Sequence, residues 1–207
     1  MNAIVHAVNY VTGGAATSLP SDYLASGNFQ FNMLKSNGLK PEMRLLEIGC
    51  GCLLTGRLLV DYLAAGHYTA LEPNTWLVTT GSAHFGINKQ FTVLARSDFS
   101  STGTYDFILS HSILSHACTE QLIQFFKAVK TQLLPDGIAL VSLRLADKDS
   151  NYSAWFYQGP SFFCVGTVEK HAQASGLKLT YRSDIQAAMI AATGGEHHHD
   201  WIELKHL

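Results

Sequence analysis

The run MRLLEIGCGC, residues 43–52, constrains the fold more than any other stretch of the chain. A short apolar segment runs straight into Gly49-Cys50-Gly51. The next residues, LLTGRLLVDYLAAG (53–66), place apolar side chains at helical spacing and end at Gly66, a natural helix stop. A buried strand, a glycine turn and a helix in direct succession form the first unit of a parallel α/β sheet. Ligands bind at such turns. Glycine lets the backbone bend sharply and approach a ligand closely.

The same turn excludes several chemistries. From Gly49 the third glycine, Gly56, arrives two residues too late for the G-x-G-x-x-G dinucleotide fingerprint. That spacing disfavours a nicotinamide-dependent dehydrogenase. No Gly-Lys-Ser/Thr follows, so the turn is not a P-loop. Cys50 and Cys52 could open a metal site only with two further ligands at matching spacing, and no C-x-x-C exists. The cysteines, Cys50, Cys52, Cys118 and Cys164, are too sparse for a disulfide framework. Small apolar thiols beside a tight turn are the expected reading, with no metal.

Strand and helix patterns alternate along the rest of the chain. Strands are expected at 67–73, 90–95, 105–112 and 138–145, with helices at 74–86 and 118–134. Asn74 and Thr119 are the expected N-caps. LPDG (134–137) reads as a turn. A helix at 167–176, a sixth strand at 177–185 and a seventh at 200–207 follow, with 194–200 as the loop between the last two. The expected fold is α/β, a doubly wound, mostly parallel sheet with helices on both faces. Residues 41–207 form that domain. Residues 1–40 form an N-terminal cap or lid, loop-rich over 11–28 and helical over 29–38.

Composition narrows the partners. Among 207 residues, Lys and Arg number 14 against 16 Asp and Glu, and no basic stripe appears. Nucleic acid is therefore not expected, and a small or uncharged substrate suits the balance. No apolar run approaches the roughly 18 residues needed to span a bilayer. The N-terminus lacks a basic start and long apolar block. A cytoplasmic protein is expected; the oligomeric state is left open.

Glu47 stands two residues before Gly49, and a second acid, Glu72, ends the second strand. With E-x-G-x-G, that acid, the segment RSDF (96–99), YDFILSHSILSHA (105–117) and LLPDGIALVS (133–142), the chain resembles the class I S-adenosylmethionine-dependent methyltransferases. Asp136 stands where that family has the first glycine of its L-x-P-G-G segment. The resemblance covers about residues 43–145 well and the remainder by order of elements. It implies seven strands with the last antiparallel, and S-adenosyl-L-methionine as cofactor. It puts Glu72 on the ribose diol and Asp98 on the adenine amino group. Glu47, Gly49, Cys50, Gly51, Pro73, Phe99 and Ser110 would line the same site. A carboxylate suits a diol, because it accepts two hydrogen bonds without needing a phosphate counter-charge.

The activity this implies is methyl transfer to a small metabolite at O or N. The Asn/Asp-Pro-Pro-Tyr/Phe signature for nucleobase or amide nitrogens is absent, and Ser110-His111-Ser112-Ile113 stands in its place. A different class also fits: a cofactor-binding relative that is regulatory or structural and does not turn over. His111 leads as general base, ahead of His199 and His116, each weighed against a capping or solvent-facing role. The aromatic stretch 151–163 supplies Tyr152, Trp155 and Tyr157 as a substrate wall, or else closes the core beneath a loop. In GGEHHHD (194–200), adjacent histidines on a strand would point to opposite faces, which argues against a zinc cluster.

Overall fold

Strand β1 (Leu45–Ile48) is buried along its whole length. Its side chains alternate between two cores: Leu46 and Ile48 pack on one face of the sheet and Leu45 on the other. That two-sided burial is the mark of a strand in the middle of a covered parallel sheet. The computed structural model describes residues 3–12, 18–156, 159–194 and 199–207.

The chain begins with helices α1 (Ala3–Thr12) and α2 (Ser21–Ser36), and β1 follows. Next come α3 (Gly56–Tyr62), β2 (Tyr68–Leu71), α4 (Thr75–Phe85) and β3 (Thr92–Leu94). Strand β4 (Tyr105–Ser110) leads through a 3-10 turn, Leu114–His116, to α5 (Thr119–Gln132) and β5 (Leu133–Leu143). Then α6 (Val165–Ala174), β6 (Leu177–Tyr181), α7 (Ser183–Thr193) and β7 (Asp200–His206) complete the chain.

The sheet order is β3-β2-β1-β4-β5-β7-β6. The first five strands are parallel, and β7 enters antiparallel between β5 and β6. The doubly wound sheet with an antiparallel last strand is as expected. One face carries α5 and α6 through Phe125, Phe126, Val129 and Val168. The other carries α2, α3 and α7 through Leu34, Leu59, Ile185 and Met189. A third cluster joins Ile4, Val5, Ala7 and Val8 of α1 to Cys52 and Leu77. Strand order reverses between β1 and β4, which opens a crevice at their carboxyl ends. Among the described residues no helix is long and apolar enough to cross a membrane.

Several local readings change. The sixth strand ends at Tyr181 instead of continuing to 185, and Ser183–Thr193 form α7, a helix that was not expected. Its alanines favour helix, and Ile185, Met189 and Thr193, four residues apart, form its buried stripe. Helix α2 begins at Ser21, inside the stretch read as loop. Its Gly27 and Ser26 look like loop residues, but a Cβ on Gly27 would stand 2.6 Å from the Leu54 carbonyl oxygen. Glycine is there for a close helix–loop approach. Helix α3 stops at Tyr62, short of Gly66. Residues 134–137 bulge within β5 instead of preceding it, since Tyr105 pairs with Leu133 and Phe107 with Ile138. The cap of α5 is Cys118, one residue before Thr119, and its amide donates to Gln121 Oε1 at 3.0 Å.

Candidate active site

The glycine turn is held from both sides. Gly49 and Gly51 have φ of +77° and +51°, and Leu53 follows at +63°. The Gly49 and Cys50 amides both donate to the Leu71 carbonyl, extending the β1–β2 ladder into the turn. Helix α4 presses on the turn at Gly81, where a Cβ would stand 2.1 Å from the Cys52 carbonyl oxygen. Helix α2 is tied to it by a buried polar chain. Gln30 Nε2 donates to Ser26 Oγ, and Thr55 Oγ1 donates to Gln30 Oε1, each at 3.1 Å. Cys50 and Cys52 are buried against apolar neighbours.

Glu72 lies at the carboxyl end of β2 and is 6% exposed. Its Oε2 accepts from the Gly51 amide at 3.2 Å and its Oε1 from the Asn74 amide at 2.9 Å. The Asn74 side chain also bonds this carboxylate, which offers about four acceptor positions and so keeps capacity for a ligand. Burial raises its pKa, and the two amide donors oppose that rise. Glu47 sits behind the turn, where its Oε2 accepts from Tyr68 Oη at 2.5 Å. Burial pushes Glu47 up to about 7, the Tyr68 hydrogen bond opposes this and the Glu72 charge adds to it.

These groups open on a cavity of about 740 Å³ above the β1/β4 switch point, a volume typical of small-molecule sites. Glu47, Gly49, Cys50, Gly51, Glu72, Pro73 and Phe99 line it. Phe99 takes a left-handed φ of +62°, as does Ser112 at +59°. Such backbone strain gathers at functional sites. Asp98 is exposed and is not among the residues lining the cavity; its carboxylate is turned onto Ser100 Oγ (2.8 Å) and the Ser100 amide (3.1 Å), while its neighbours Arg96 and Ser97 line the wall. Ser110 is fully buried at the end of β4, its Oγ without a hydrogen-bond partner among the described residues.

The structure brings all three histidines to the cavity wall. The His111 ring stacks on Trp201 at 5.3 Å and 1° between planes, and its centroid lies 4.9 Å from that of His199. His111 Nδ1 shares a 2.9 Å hydrogen bond with Ser142 Oγ, which also accepts from the Ser112 amide at 2.8 Å. Ser142 and Trp201 face each other in the β5–β7 ladder, so two strands fix one imidazole. His116 lies 5.9 Å from Trp155, and burial, with the Arg144 charge adding, holds its pKa below the usual imidazole value. The backbone stitches these segments together: Phe156 N–H donates to the His116 carbonyl and Ser161 N–H to that of Ser115. Trp155 lines the cavity, whereas Tyr152 packs on Phe156 at 4.2 Å. Tyr157 and residues 195–198 of the histidine loop lie outside the described residues.

Sequence reading missed Tyr10, Tyr23, Ser26 and Gln30 from the two N-terminal helices, and Thr55, Gln121 and Arg144, all on the cavity wall. None belongs to a motif. Only the placement of α1 and α2 over the turn reveals the first four.

No family model matches the sequence, and no curated protein matches it. Solved structures match it along its length. A magnesium protoporphyrin IX methyltransferase from Synechocystis PCC 6803, with bound S-adenosylmethionine, aligns over 100% of this chain and 98% of its own at 10% identity, with a TM-score of 0.67. An S-adenosylmethionine-dependent methyltransferase from Clostridium acetobutylicum ATCC 824 aligns over 99% and 98% at 11% identity, also at 0.67. The fold is that of the class I S-adenosylmethionine-dependent methyltransferases. A glycopeptide N-methyltransferase complexed with S-adenosyl-L-methionine shares it at a TM-score of 0.65 and 12% identity, over 94% of this chain and 100% of its own. At such identities the likeness is one of fold, and the methyltransferase fold hosts many acceptors.

Proposed function

We propose that the protein binds S-adenosyl-L-methionine and transfers its methyl group to a small molecule at O or N. The observation that carries this reading is Glu72. Two backbone amides hold its carboxylate at the mouth of the glycine turn, and acceptor capacity remains for a ribose hydroxyl. Gly49, Cys50 and Gly51 would pass beside the rest of the nucleoside, with Pro73, Phe99 and Asp98 on its far side. When bound, the cofactor supplies an activated methyl on a sulfonium.

The chain's own contribution is alignment, water exclusion and, for a protonated nucleophile, a base. With Nδ1 engaged at Ser142, His111 would take a proton through Nε2. His199 and His116 are the further candidates, and Trp155 the substrate wall. Residues 1–40 act as the lid: Tyr10, Tyr23 and Gln30 already reach over the cavity. The near-neutral charge supports a metabolite over nucleic acid.

The test has two arms. Calorimetry with S-adenosylhomocysteine should show one-to-one binding. Incubation with radiolabelled cofactor and a small-metabolite extract should label a small product. Binding without labelling would favour the non-catalytic relative, and absence of binding would remove the reading altogether.

A further inference from the structure

Charge is unevenly spread around the cavity, whose β1–β3 side carries both acids and Arg96. Its two carboxylates, Glu47 and Glu72, belong to β1 and β2 and are engaged by Tyr68, Gly51 and Asn74. Above β4, β5 and β7 the wall carries His111, His116, His199 and Arg144, and no acid among the described residues. Arg144 follows β5 directly. Its Nε is buried without a hydrogen-bond partner, and it makes no ion pair, among the described residues. The nearby acids make other contacts and none is ion-paired with Arg144: Asp200 accepts from the Leu145 amide and Gln186, and Asp149 from the Cys164 amide and Thr167.

The guanidinium is also held in place. It lies over the Phe162 ring at 5.9 Å. The Arg144 carbonyl accepts from the Phe163 amide at 3.0 Å, and the bridges Leu145–Phe163 and Ser150–Phe162 lock the segment. A half-buried guanidinium whose Nε is shielded and unpaired is open to an anionic partner, and its planar fork matches a carboxylate with two parallel hydrogen bonds. Trp155 and the His116 imidazole, 5.9 Å apart, give the same half of the cavity flat walls.

We infer that the methyl acceptor is a flat, ring-bearing carboxylic acid whose carboxylate is held by Arg144. This rests on the methyltransferase reading, since the cofactor is taken to fill the half above β1 and β2.

The probes are 4-hydroxybenzoate and its amide, titrated into the complete chain with and without saturating S-adenosylhomocysteine by ligand-observed NMR. The carboxylate should bind at least about tenfold more tightly than the amide. Arg144→Met should abolish that preference and leave S-adenosylhomocysteine affinity unchanged. Arg144→Lys keeps the charge and the aliphatic stem but loses the fork. It should cut the preference at least about threefold, and it serves if the Met variant fails to fold. Equal binding of acid and amide would overturn the inference. So would a preference that survives both variants, or loss of S-adenosylhomocysteine affinity in Arg144→Met, which would give the guanidinium to the cofactor. Tighter binding of phenyl phosphate than of the carboxylate would overturn the choice of anion. Failure of S-adenosylhomocysteine to bind, with Arg144-dependent carboxylate binding intact, would remove the methyltransferase reading and leave the anion site standing.

Discussion

The Gly51 amide donates to Glu72 Oε2 at 3.2 Å, tying the turn after β1 to the end of β2. The residue proposed to recognise the ribose therefore also sets the shape of the turn. Glu72→Ala should lower affinity for S-adenosylhomocysteine by at least about tenfold, because charge-assisted hydrogen bonds contribute roughly 1.5–3 kcal/mol each. Calorimetry giving the wild-type affinity would take Glu72 out of the site.

The turn itself should resist side chains. Gly51, at φ +51°, sits where an L-residue costs about 1–2 kcal/mol, and a β-branched one more. Gly51→Val should abolish S-adenosylhomocysteine binding while far-UV circular dichroism keeps its native form. Gly81→Ala tests the packing behind the turn. Its Cβ would meet the Cys52 carbonyl oxygen at 2.1 Å, a backbone atom that cannot swing away. A loss of about 1–3 kcal/mol is expected, read as a fall of several degrees in Tm.

Glu47 makes stability depend on pH. Its folded pKa of about 7 lies above the unfolded carboxyl value of roughly 4.3. The folded chain thus holds this proton to higher pH than the unfolded one. The group's contribution is complete below about pH 4, declines between pH 4 and 7, and is gone above that window. The loss is on the order of 3 kcal/mol. Glu47→Gln keeps an acceptor for Tyr68 and cannot ionise. Its Tm relative to wild type should be more favourable at pH 8 than at pH 5; an offset that does not change with pH would contradict the assignment.

The imidazole at the end of β4 is testable by kinetics once an acceptor is in hand. His111→Ala should lower turnover by roughly 10²–10⁴ with cofactor affinity unchanged, if it is the base. Ser142→Ala leaves the ring in place but removes the partner of Nδ1, and should lower kcat by about tenfold with little change in KM. Full turnover in His111→Ala would show that alignment alone suffices or that His199 takes the proton.

The proposed lid predicts a pattern in hydrogen exchange. Amides of α1 and α2 should slow when S-adenosylhomocysteine binds, because Tyr10, Tyr23 and Gln30 line the cavity. Unchanged exchange in both helices would assign them a purely structural role.

How much of this could be read from the chain depends on the range of each interaction. Gly49, Gly51 and Glu72 were legible because a strand, a turn and an acid at the next strand end are local signals. Helix α7 was not, because its buried stripe is only Ile185, Met189 and Thr193, and the preceding LKLTYRSDI reads smoothly as strand. Helix α2 was hidden by Ser26 and Gly27, whose small size is explained only by Leu54 across the interface. Arg144 carried no signal at all. Its meaning lies in the carboxylate it lacks among the described residues, which only the folded neighbourhood reveals.

The insertion of β7 between β5 and β6 also orders events in time. Strand β6 has a single neighbour in the sheet, and that neighbour is β7. During synthesis β6 emerges first and has no ladder partner until residues 200–206 follow it. Until then the outer edge of β5 presents unpaired amides and carbonyls to any passing strand. Trp201 and His199 arrive with that piece. The half of the cavity that holds His111 is therefore completed only after β6 has emerged, and a nascent chain builds the half above β1 and β2 before the wall against which His111 stacks exists.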